Sequence, residues 1–297
     1  MKFDVAVIGG GPAGLSASIF TARAGLKTIC FEKLVIGGQA SLSHNIENYP
    51  AFKSISGFEL TQKMFEQSKE CGVQFAFKEI LKVKKTKTGF AIKTKEETIH
   101  ADKVIIANGT ISRKLGLNEE KFIGKGISYC ASCDGNFFKG KDVAVVGGGD
   151  SAFVYAEYLS RLAKNVYILN RSDKLRAAEV RIRQVKGLKN VQILMNTKIS
   201  KLLGDDILSG VEINNREVLN VQGLFVAIGH LPKLEFLDFE LKTDSGGYIV
   251  VDKYMRTSVE NVYACGDIVS KHFRQIITAC ADGAIAGNSC VGVTNEN

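Results

Sequence analysis

The chain has 297 residues and a formal net charge of +8, and its 24% charged and 45% hydrophobic residues are ordinary for a globular protein. No apolar run is long enough to cross a bilayer, and the N-terminal sequence MKFDVAVIGGGPAG carries glycines where a secretory signal needs apolar residues, so we expect a cytoplasmic protein with no membrane contact. The positive charge favours an acidic partner or a phosphate-bearing ligand, or reflects only a lysine-rich surface; no basic tract interleaved with aromatics indicates nucleic acid.

The first predicted elements are a strand, a glycine-rich turn and a helix, in the sequence DVAVIGGGPAGLSASIF that begins at Asp4. In such a unit Gly9 makes the tight turn, Gly11 lets backbone amides approach a pyrophosphate, and Gly14 lets the helix pack close to the strand. The next apolar strand, KTICFEK, ends at Glu32, whose carboxylate accepts hydrogen bonds from ribose hydroxyls and repels phosphate. This half therefore predicts an adenine dinucleotide without a 2′-phosphate, and the alternative is a glycine turn that binds nothing.

Between residues 75 and 101 apolar and polar residues alternate around a turn at Gly89. This alternation predicts an antiparallel meander that covers the first sheet. The apolar strand KVIIANGT at residues 103–110 then ends at a glycine, as if it marked the exit from the first dinucleotide half.

Cys130, Cys133 and Asp134 lie together in the sequence SYCASCDGNFF. The pair could be a redox dithiol, half of a zinc site or two small core residues. Zinc needs four ligands, and the chain has neither a second C-x-x-C nor paired histidines, so we expect no metal. A dithiol fits best, because a helical first turn lowers a thiol pKa and Asp134 can exchange the proton; a turn or cap residue is the alternative for Asp134. The other five cysteines are scattered and predict buried small side chains in a reducing compartment: Cys30, Cys71, Cys265, Cys280 and Cys290.

The glycine unit then repeats, because laying residue 4 on residue 142 aligns DVAVVGGGDSAFVYAEY with the first copy and NVYILNR with its second strand. Two copies in register are a strong signal for two dinucleotide sites. Gly147, Gly149 and Ala152 take the three glycine positions. Asn170 replaces the acidic residue, and the arginines after it predict a 2′-phosphate and hence NADPH; a solvated helix start is the alternative for Arg171 and Arg176.

The remaining sequence continues the alternation of strands and helices, with GLFVAIGHLP at residues 223–232 and a helical run from about Gln275 to Cys290. This alternation predicts an α/β fold with parallel sheets at its cores. A flavin is the natural intermediary between a nicotinamide, which delivers hydride, and a dithiol.

The motifs GGGPAG, IGGQ, IENYPAF, CASCDG, VVGGGDSA, VAIGHLP, YACGD and RQIITACADGAIAG together resemble those of the low-molecular-weight bacterial thioredoxin reductases, in the same order and over essentially the whole chain. The resemblance implies two Rossmann-like, three-layer ββα domains, the second inserted into the first. It places an FAD domain at residues 1–112 and 241–297 and an NADPH domain with the dithiol at residues 113–240. It also implies a homodimer, reduction of thioredoxin or a thioredoxin-like protein, and rotation of one domain against the other about hinges near 112 and 240.

The resemblance further implies the site residues. Cys133 would face the flavin, Cys130 would attack the thioredoxin disulfide, and Asp134 would be the acid. The residues implied for FAD are Gly9, Gly11, Pro12, Ala13, Gly14, Glu32, Gly38, Gln39, Asn48, Gly109, Asp267, Arg274, Gln275 and Ile276. The residues implied for NADPH are Gly147, Gly149, Asp150, Ser151, Ala152, Arg171, Arg176, Ile228 and Gly229.

The chain departs from the family pattern at the predicted phosphate site, where Asn170 and Ser172 stand in place of a histidine and an arginine, and at Asn108, where threonine is usual. The first departure keeps open a related flavoprotein that uses NADH, another donor or a different dithiol acceptor. A flavin-binding redox sensor without efficient turnover, and a flavin reductase that needs no dithiol, are further alternatives.

Overall fold

The computed structural model describes residues 2–43 and 46–292, and of Cys133 it describes the main chain but not the side chain. The chain divides into two units: unit 1 consists of Met1–Ile111 and Leu231–Asn297, and unit 2 is Ser112–His230. Unit 2 is thus inserted into unit 1. Both units are built on parallel sheets with helices, which confirms the predicted α/β class.

The first part of unit 1 forms its parallel strands, the helices that connect them and an antiparallel pair. Its elements are β1 (Lys2–Ile8), α1 (Pro12–Arg23), β2 (Thr28–Phe31), α2 (Gly38–Ser41), α3 (Gly57–Glu70), β3 (Gln74–Ala76), β4 (Lys82–Thr86), β5 (Gly89–Lys93) and β6 (Thr98–Ile106). The strands lie in the order β3-β2-β1-β6-β5-β4. β1 pairs in parallel with β2 and β6, whereas β5 runs antiparallel to both β4 and β6.

The two faces of β1 separate two cores. Phe3 and Ile8 pack in one cluster with Val83 of β4 and Phe90 of β5. Val5 on the opposite face packs in another cluster with helix residues from both ends of the chain. The predicted meander therefore covers one face of the parallel sheet and the helices cover the other, which gives the expected three layers.

A short strand, β7 (Thr110–Ser112), leads into unit 2, whose elements repeat the strand–turn–helix order. They are β8 (Ile127–Ser128), α4 (Ala131–Asp134), β9 (Asp142–Val146), α5 (Asp150–Ser160), β10 (Asn165–Leu169), α6 (Glu179–Lys186), β11 (Val191–Leu194), β12 (Ile199–Leu203), β13 (Gly210–Ile213), β14 (Glu217–Leu219) and β15 (Gly223–Val226). The parallel sheet has the order β11-β10-β9-β15-β8, and β12-β13-β14 form a separate antiparallel sheet. One face packs against α5 and α6, and the other against the antiparallel sheet.

The chain leaves unit 2 through β16 (His230–Pro232), which pairs with β7 in a two-stranded sheet. The second boundary therefore lies at residues 230–231 and not at 240–241, where the sequence placed it. Residues 231–240 pack with unit 1 because Val83 exchanges backbone hydrogen bonds with Phe236 and Asp238 (2.7 and 2.9 Å). Apolar side chains of this segment also join the cluster beneath the meander.

Unit 1 ends with β17 (Val262–Ala264), a 3₁₀ turn at Gly266–Ile268 and α7 (Ile276–Val291). β17 pairs in parallel with β6. Gln275 caps α7, since its side chain and that of Thr278 each accept a backbone amide of the first turn. None of the described helices combines the length and apolar character needed to cross a membrane.

Candidate functional site

The first glycine turn joins β1 to α1 with the geometry of a phosphate cradle. Gly9 has a φ of +109°, and a Cβ there would lie 2.4 Å from the carbonyl oxygen of Ala107. A Cβ on Gly14 would lie 1.9 Å from the carbonyl oxygen of Gly9, so helix and strand approach each other as closely as only glycine allows. A Cβ on Gly11, the N-cap of α1, would meet only the carbonyl oxygen of Gly37, at 4.0 Å.

Helix α1 begins without a capping side chain and without an acidic residue in its first turn. Its first backbone N–H groups have no partner within the helix, and the helix dipole adds positive potential there. Together with the open space beside Gly11, this arrangement suits a bound anion such as a pyrophosphate.

Glu32 directly follows β2 and lies over the glycine turn. One carboxylate oxygen accepts the N–H of Gly10 at 2.9 Å, and the other accepts the N–H of Leu34 at 2.9 Å. An ionised carboxylate has about four lone-pair sites, so both oxygens keep the capacity to accept a hydroxyl. The fixed negative charge beside the turn favours a ribose with free hydroxyls over a ribose phosphate.

Several other residues implied for FAD lie near the turn or touch one another. Gly266, which precedes Asp267, lies against the N-terminus of α1, because a Cβ on it would be 2.7 Å from the Cβ of Ala13. Gln39 of α2 donates to the carbonyl of Thr110 (2.6 Å), next to Gly109 at φ +61°.

At the start of α7, Asn48 donates to the side-chain oxygen of Gln275 (2.9 Å). The guanidinium of Arg274 donates to the carbonyls of Asp267 (3.3 Å) and Val269 (3.1 Å) and lies 4.1 Å from the ring centre of Tyr248. Arg274 therefore stabilises the loop that carries Asp267 through these hydrogen bonds.

Asn108, at the carboxyl end of β6, offers an acceptor that a ligand could use. Its Nδ2 donates to the carbonyl of Lys233 (2.8 Å), but its buried Oδ1 finds no hydrogen-bond partner among the described residues. Buried acceptors are normally satisfied, so an unpaired one beside the glycine turn fits a bound group that supplies a donor. The residues present thus fit an adenine dinucleotide such as FAD.

The second glycine turn, between β9 and α5, repeats this cradle. Gly147 has a φ of +145°, and a Cβ on it would lie 2.2 Å from the carbonyl oxygen of Ala227 and 3.2 Å from the Cβ of Ala152. A Cβ on Gly149 would meet nothing within 4 Å, and no side chain caps α5. Asp150, in the first turn of α5, accepts the N–H of Ala178 at 2.9 Å and is thereby tied to the loop after β10.

The side chain of Asn170 holds that loop together, a role that the sequence did not indicate. It is 5% exposed, and its Nδ2 donates to the carbonyls of Ser172 (2.9 Å) and Lys174 (3.1 Å). A Cβ on Gly148 would lie 2.2 Å from the Asn170 Oδ1, and the N–H of Arg176 donates to the Gly148 carbonyl at 2.7 Å. Main-chain bonds and the Asn170 amide therefore hold the loop against the turn. The positively charged side chains of the loop are not used in these contacts and can meet a ligand.

Three exposed cations project from this loop: Arg171, Lys174 and Arg176. The sequence pattern indicated the two arginines but not Lys174, whose positive charge makes up for the arginine that Ser172 replaces in the family pattern. No carboxylate stands at the position of Asn170 to oppose a 2′-phosphate. The residues of the second turn thus fit NADPH.

The cysteine motif begins where β8 ends. Cys130 is disulfide-bonded and precedes the single turn of α4. Cys133 lies in that turn, and the Cys133 side chain is outside the described part of the chain. The hydroxyl of Ser128 donates to the Asp134 carboxylate at 2.6 Å and accepts the N–H of Cys130 at 3.0 Å. One hydroxyl thus links the Asp134 carboxylate to the main chain of Cys130.

The main chain beside Cys130 is held by two further residues that the sequence did not single out. Tyr155 of α5 donates to the carbonyl of Tyr129 (2.8 Å), and the hydroxyl of Tyr129 donates to the buried carboxylate of Glu119 (3.0 Å). Burial and the hydrogen bond to Glu119 raise the pKa of Tyr129 far above its usual value. Burial acts to raise the pKa of Glu119 as well, but backbone donors, including those of Leu115 and Leu117, outweigh it and the pKa is lowered.

The other five cysteines are free. Burial raises the pKa of Cys30 and of Cys290 to about 12, and raises that of Cys265 well above its usual range. These three are the predicted buried small side chains, whereas Cys71 and Cys280 are half-buried. Among the described residues, no three His, Cys, Asp or Glu side chains cluster as a metal site requires.

Comparison with known proteins shows the family of this chain. Residues 3–283 match the family described as pyridine nucleotide-disulphide oxidoreductase. The chain is 39% identical to the thioredoxin reductase of Listeria monocytogenes over 99% of this chain and 94% of that one, and 40% identical to that of Bacillus subtilis over 97% and 93%. The crystal structure of Lactococcus lactis thioredoxin reductase superposes with a TM-score of 0.91 at 37% identity, over 98% of both chains. The resemblance stated from the sequence is thereby confirmed.

Proposed function

Because the chain belongs to the pyridine nucleotide-disulphide oxidoreductase family, we propose that it is a thioredoxin reductase with FAD and NADPH as its cofactors. The observation that carries this proposal is the Cys130 disulfide with the Asp134 carboxylate in the same hydrogen-bonded segment. That segment lies in the chain between two glycine turns that fit two different dinucleotides. Thioredoxin reductases among its relatives, at 39–40% identity, support the same function.

The residues of unit 1 would bind FAD. The amides at the start of α1 would hold the pyrophosphate beside Gly11, and Glu32 would accept the adenosine ribose hydroxyls. Asp267, next to the start of α1, would contact the ribityl-phosphate region. When bound, FAD supplies two-electron exchange between the nicotinamide and the cysteine pair.

The residues of unit 2 would bind NADPH and carry the thiol chemistry. The start of α5 would hold the pyrophosphate, and Arg171 and Arg176 would pair with the 2′-phosphate. In the reduced enzyme, the Cys130 thiolate attacks thioredoxin, and Asp134 passes a proton to the thiolate that departs. Cys133 then restores the bond to Cys130.

The same proposal includes a homodimer, and rotation of one unit against the other between half-reactions. The hinges would be the two connections at residues 111–112 and 230–231, where the units divide. We also propose that the protein acts in the cytoplasm, since five of its seven cysteines are free.

Steady-state assays with NADPH and thioredoxin test this function. The protein should reduce thioredoxin at ordinary enzymatic rates, roughly 1–10³ per second. Cys133→Ser should abolish thioredoxin reduction and retain the NADPH–ferricyanide reaction, which needs no dithiol. Full thioredoxin activity in Cys133→Ser would identify a flavin reductase, and a flavin-loaded protein inert toward thioredoxin would identify a sensor.

A further inference from the structure

We propose that Ser128 is a positioning residue for the thiol–disulfide step: it holds the Asp134 carboxylate against the main chain of Cys130 so that the carboxylate can exchange protons with sulfur. This inference deepens the proposed function and rests on it. It concerns a side chain that lies outside the C-x-x-C-D motif.

The hydroxyl oxygen of Ser128 contacts the Asp134 carboxylate and both the carbonyl and the amide of Cys130. The hydroxyl is 2.6 Å from Asp134 Oδ2 and 3.1 Å from the carbonyl oxygen of Cys130, and it is 3.0 Å from the Cys130 backbone nitrogen. A hydroxyl has one hydrogen, and the short contact to a charged acceptor is the stronger one. The hydroxyl therefore donates to Asp134 and accepts the N–H of Cys130.

Ser128 itself is held in place by the parallel sheet of unit 2. It is 4% exposed and is the last residue of β8, which pairs in parallel with β15 opposite Phe225. The next residue, Tyr129, is fixed at its carbonyl by Tyr155 and at its hydroxyl by Glu119. Its raised pKa keeps this hydroxyl protonated, and hence a donor, at physiological pH.

Asp134, in contrast, ends the single turn of α4, and its N–H donates to the Cys130 carbonyl at 3.2 Å. One turn of helix is not stable by itself. So short a helix cannot fix the direction of the Asp134 carboxylate. The hydroxyl of Ser128, which is anchored in the sheet, therefore orients that carboxylate through its hydrogen bond.

The proton balance shows where this orientation matters. The Cys130 thiolate attacks a thioredoxin sulfur, the thioredoxin S–S bond breaks as a mixed disulfide forms, and the departing thiolate takes a proton from Asp134. The Cys133 thiol gives its proton to Asp134, and its thiolate attacks the Cys130 sulfur. The mixed disulfide breaks, the second thioredoxin thiolate takes that proton, and the Cys130–Cys133 bond is restored. Two electrons and two protons thus pass to thioredoxin.

The test compares Ser128→Ala with Ser128→Thr, which keeps a hydroxyl, and with Ser160→Ala as a matched control. Ser160 lies in α5 of the same unit, and its hydroxyl donates locally, to the Glu157 carbonyl at 2.7 Å. Ser128→Ala should lower kcat for thioredoxin roughly 10-fold, which is part of the ~10²–10⁴ that a general acid contributes, with KM unchanged. The NADPH–ferricyanide rate should stay at the wild-type level in all three variants, and Ser128→Thr should recover most of the kcat.

A double-mutant cycle separates positioning from a structural role. Ser128→Ala should cost nothing further in an Asp134→Asn background, because its effect acts through the carboxylate. Additive losses, an equal fall in the ferricyanide rate, or a wild-type kcat in Ser128→Ala would each overturn the inference while the function stands. A wild-type protein that does not reduce thioredoxin would overturn both.

Discussion

At the residue scale, the two glycine turns differ most in the side chain that follows the second strand of each copy. Glu32 presents a carboxylate to the first turn and accepts the N–H of Gly10. Asn170 lies at the matching position, but its side-chain amide donates to carbonyls of its own loop. We propose that this position selects the ligand by charge in the first copy, whereas in the second copy it shapes a cationic loop.

Asn170→Asp should weaken NADPH binding and leave NADH binding nearly unchanged. The substitution removes the Nδ2 donor that fixes the loop and places a negative charge beside the 2′-phosphate. Isothermal titration calorimetry of the oxidised protein should show a rise in the dissociation constant of NADP⁺ of roughly 10-fold or more, since the arginine–phosphate contact that the altered loop disturbs is charge-assisted and worth about 1.5–3 kcal/mol. Asn190→Asp, in the same unit, is the control. An equal loss of NADH affinity would show that only loop folding had been affected.

The buried thiols give a second prediction at this scale. Cys30 and Cys290 have pKa values raised to about 12 by burial, so they remain neutral thiols, not nucleophilic thiolates, up to at least pH 9. Mass mapping after iodoacetamide treatment of the native, oxidised protein at pH 8 should leave both unmodified, while half-buried Cys71 reacts first. Rapid labelling of Cys30 without unfolding would contradict the described burial.

At the scale of the element, the start of α1, where we propose that the FAD pyrophosphate binds, depends on the contact between α1 and α7. A Cβ on Gly283 of α7 would lie 2.1 Å from the carbonyl oxygen of Ala13, and one on Gly287 would lie 2.7 Å from that of Ala17. The two glycines therefore let the backbones of the helices approach closely. Because Ala13 lies in the first turn of α1, this contact also sets the position of the phosphate cradle.

Gly283→Ala should destabilise unit 1 and loosen FAD. The added methyl must push α7 away from Ala13, and overpacking of this kind costs about 1–3 kcal/mol. Differential scanning calorimetry should show a lower Tm, and a desalting column should remove FAD faster than from the wild type. The control is Gly187→Ala, whose Cβ would meet ordinary contacts of 3.4 Å and longer. Equal Tm values for both variants would contradict the close approach.

The sequence predicted those elements whose local pattern is sufficient by itself. The glycine turns, the meander after residue 75 and the helix near Gln275 all follow from spacing within a short window. The bond between Ser128 and Asp134 and the loop role of Asn170 depend on side-chain directions that no spacing rule contains. The boundary at residues 230–231 was missed because residues 233–240 form no helix or strand, and they join unit 1 through backbone bonds with Val83 and apolar contacts in its core.

For the whole molecule, the decisive feature is that each unit has its own core. In unit 1, clusters lie on both faces of a sheet built from the two ends of the chain. In unit 2, clusters lie on both faces of its own parallel sheet. The chain passes between the units only at residues 111–112 and 230–231.

Two cores predict two thermal transitions that respond to different ligands. FAD should raise the transition of unit 1, and an oxidised nucleotide with a 2′-phosphate should raise that of unit 2. At a ligand concentration of 100 times Kd the stabilisation is about 2.7 kcal/mol, which calorimetry resolves. A single transition that both ligands shift equally would show that the two cores unfold as one.

The proposed function requires that electrons pass from a nicotinamide through a flavin to the cysteine pair and then to thioredoxin. Anaerobic titration of the yellow protein with NADPH, with NADH in a parallel cuvette and oxidised thioredoxin added last, follows each transfer by absorbance. We predict bleaching of the flavin band by NADPH at lower concentrations than by NADH, and stoichiometric recovery of the band when thioredoxin is added. A colourless protein that cannot be reconstituted with FAD, or a bleached flavin that thioredoxin leaves reduced, would contradict it.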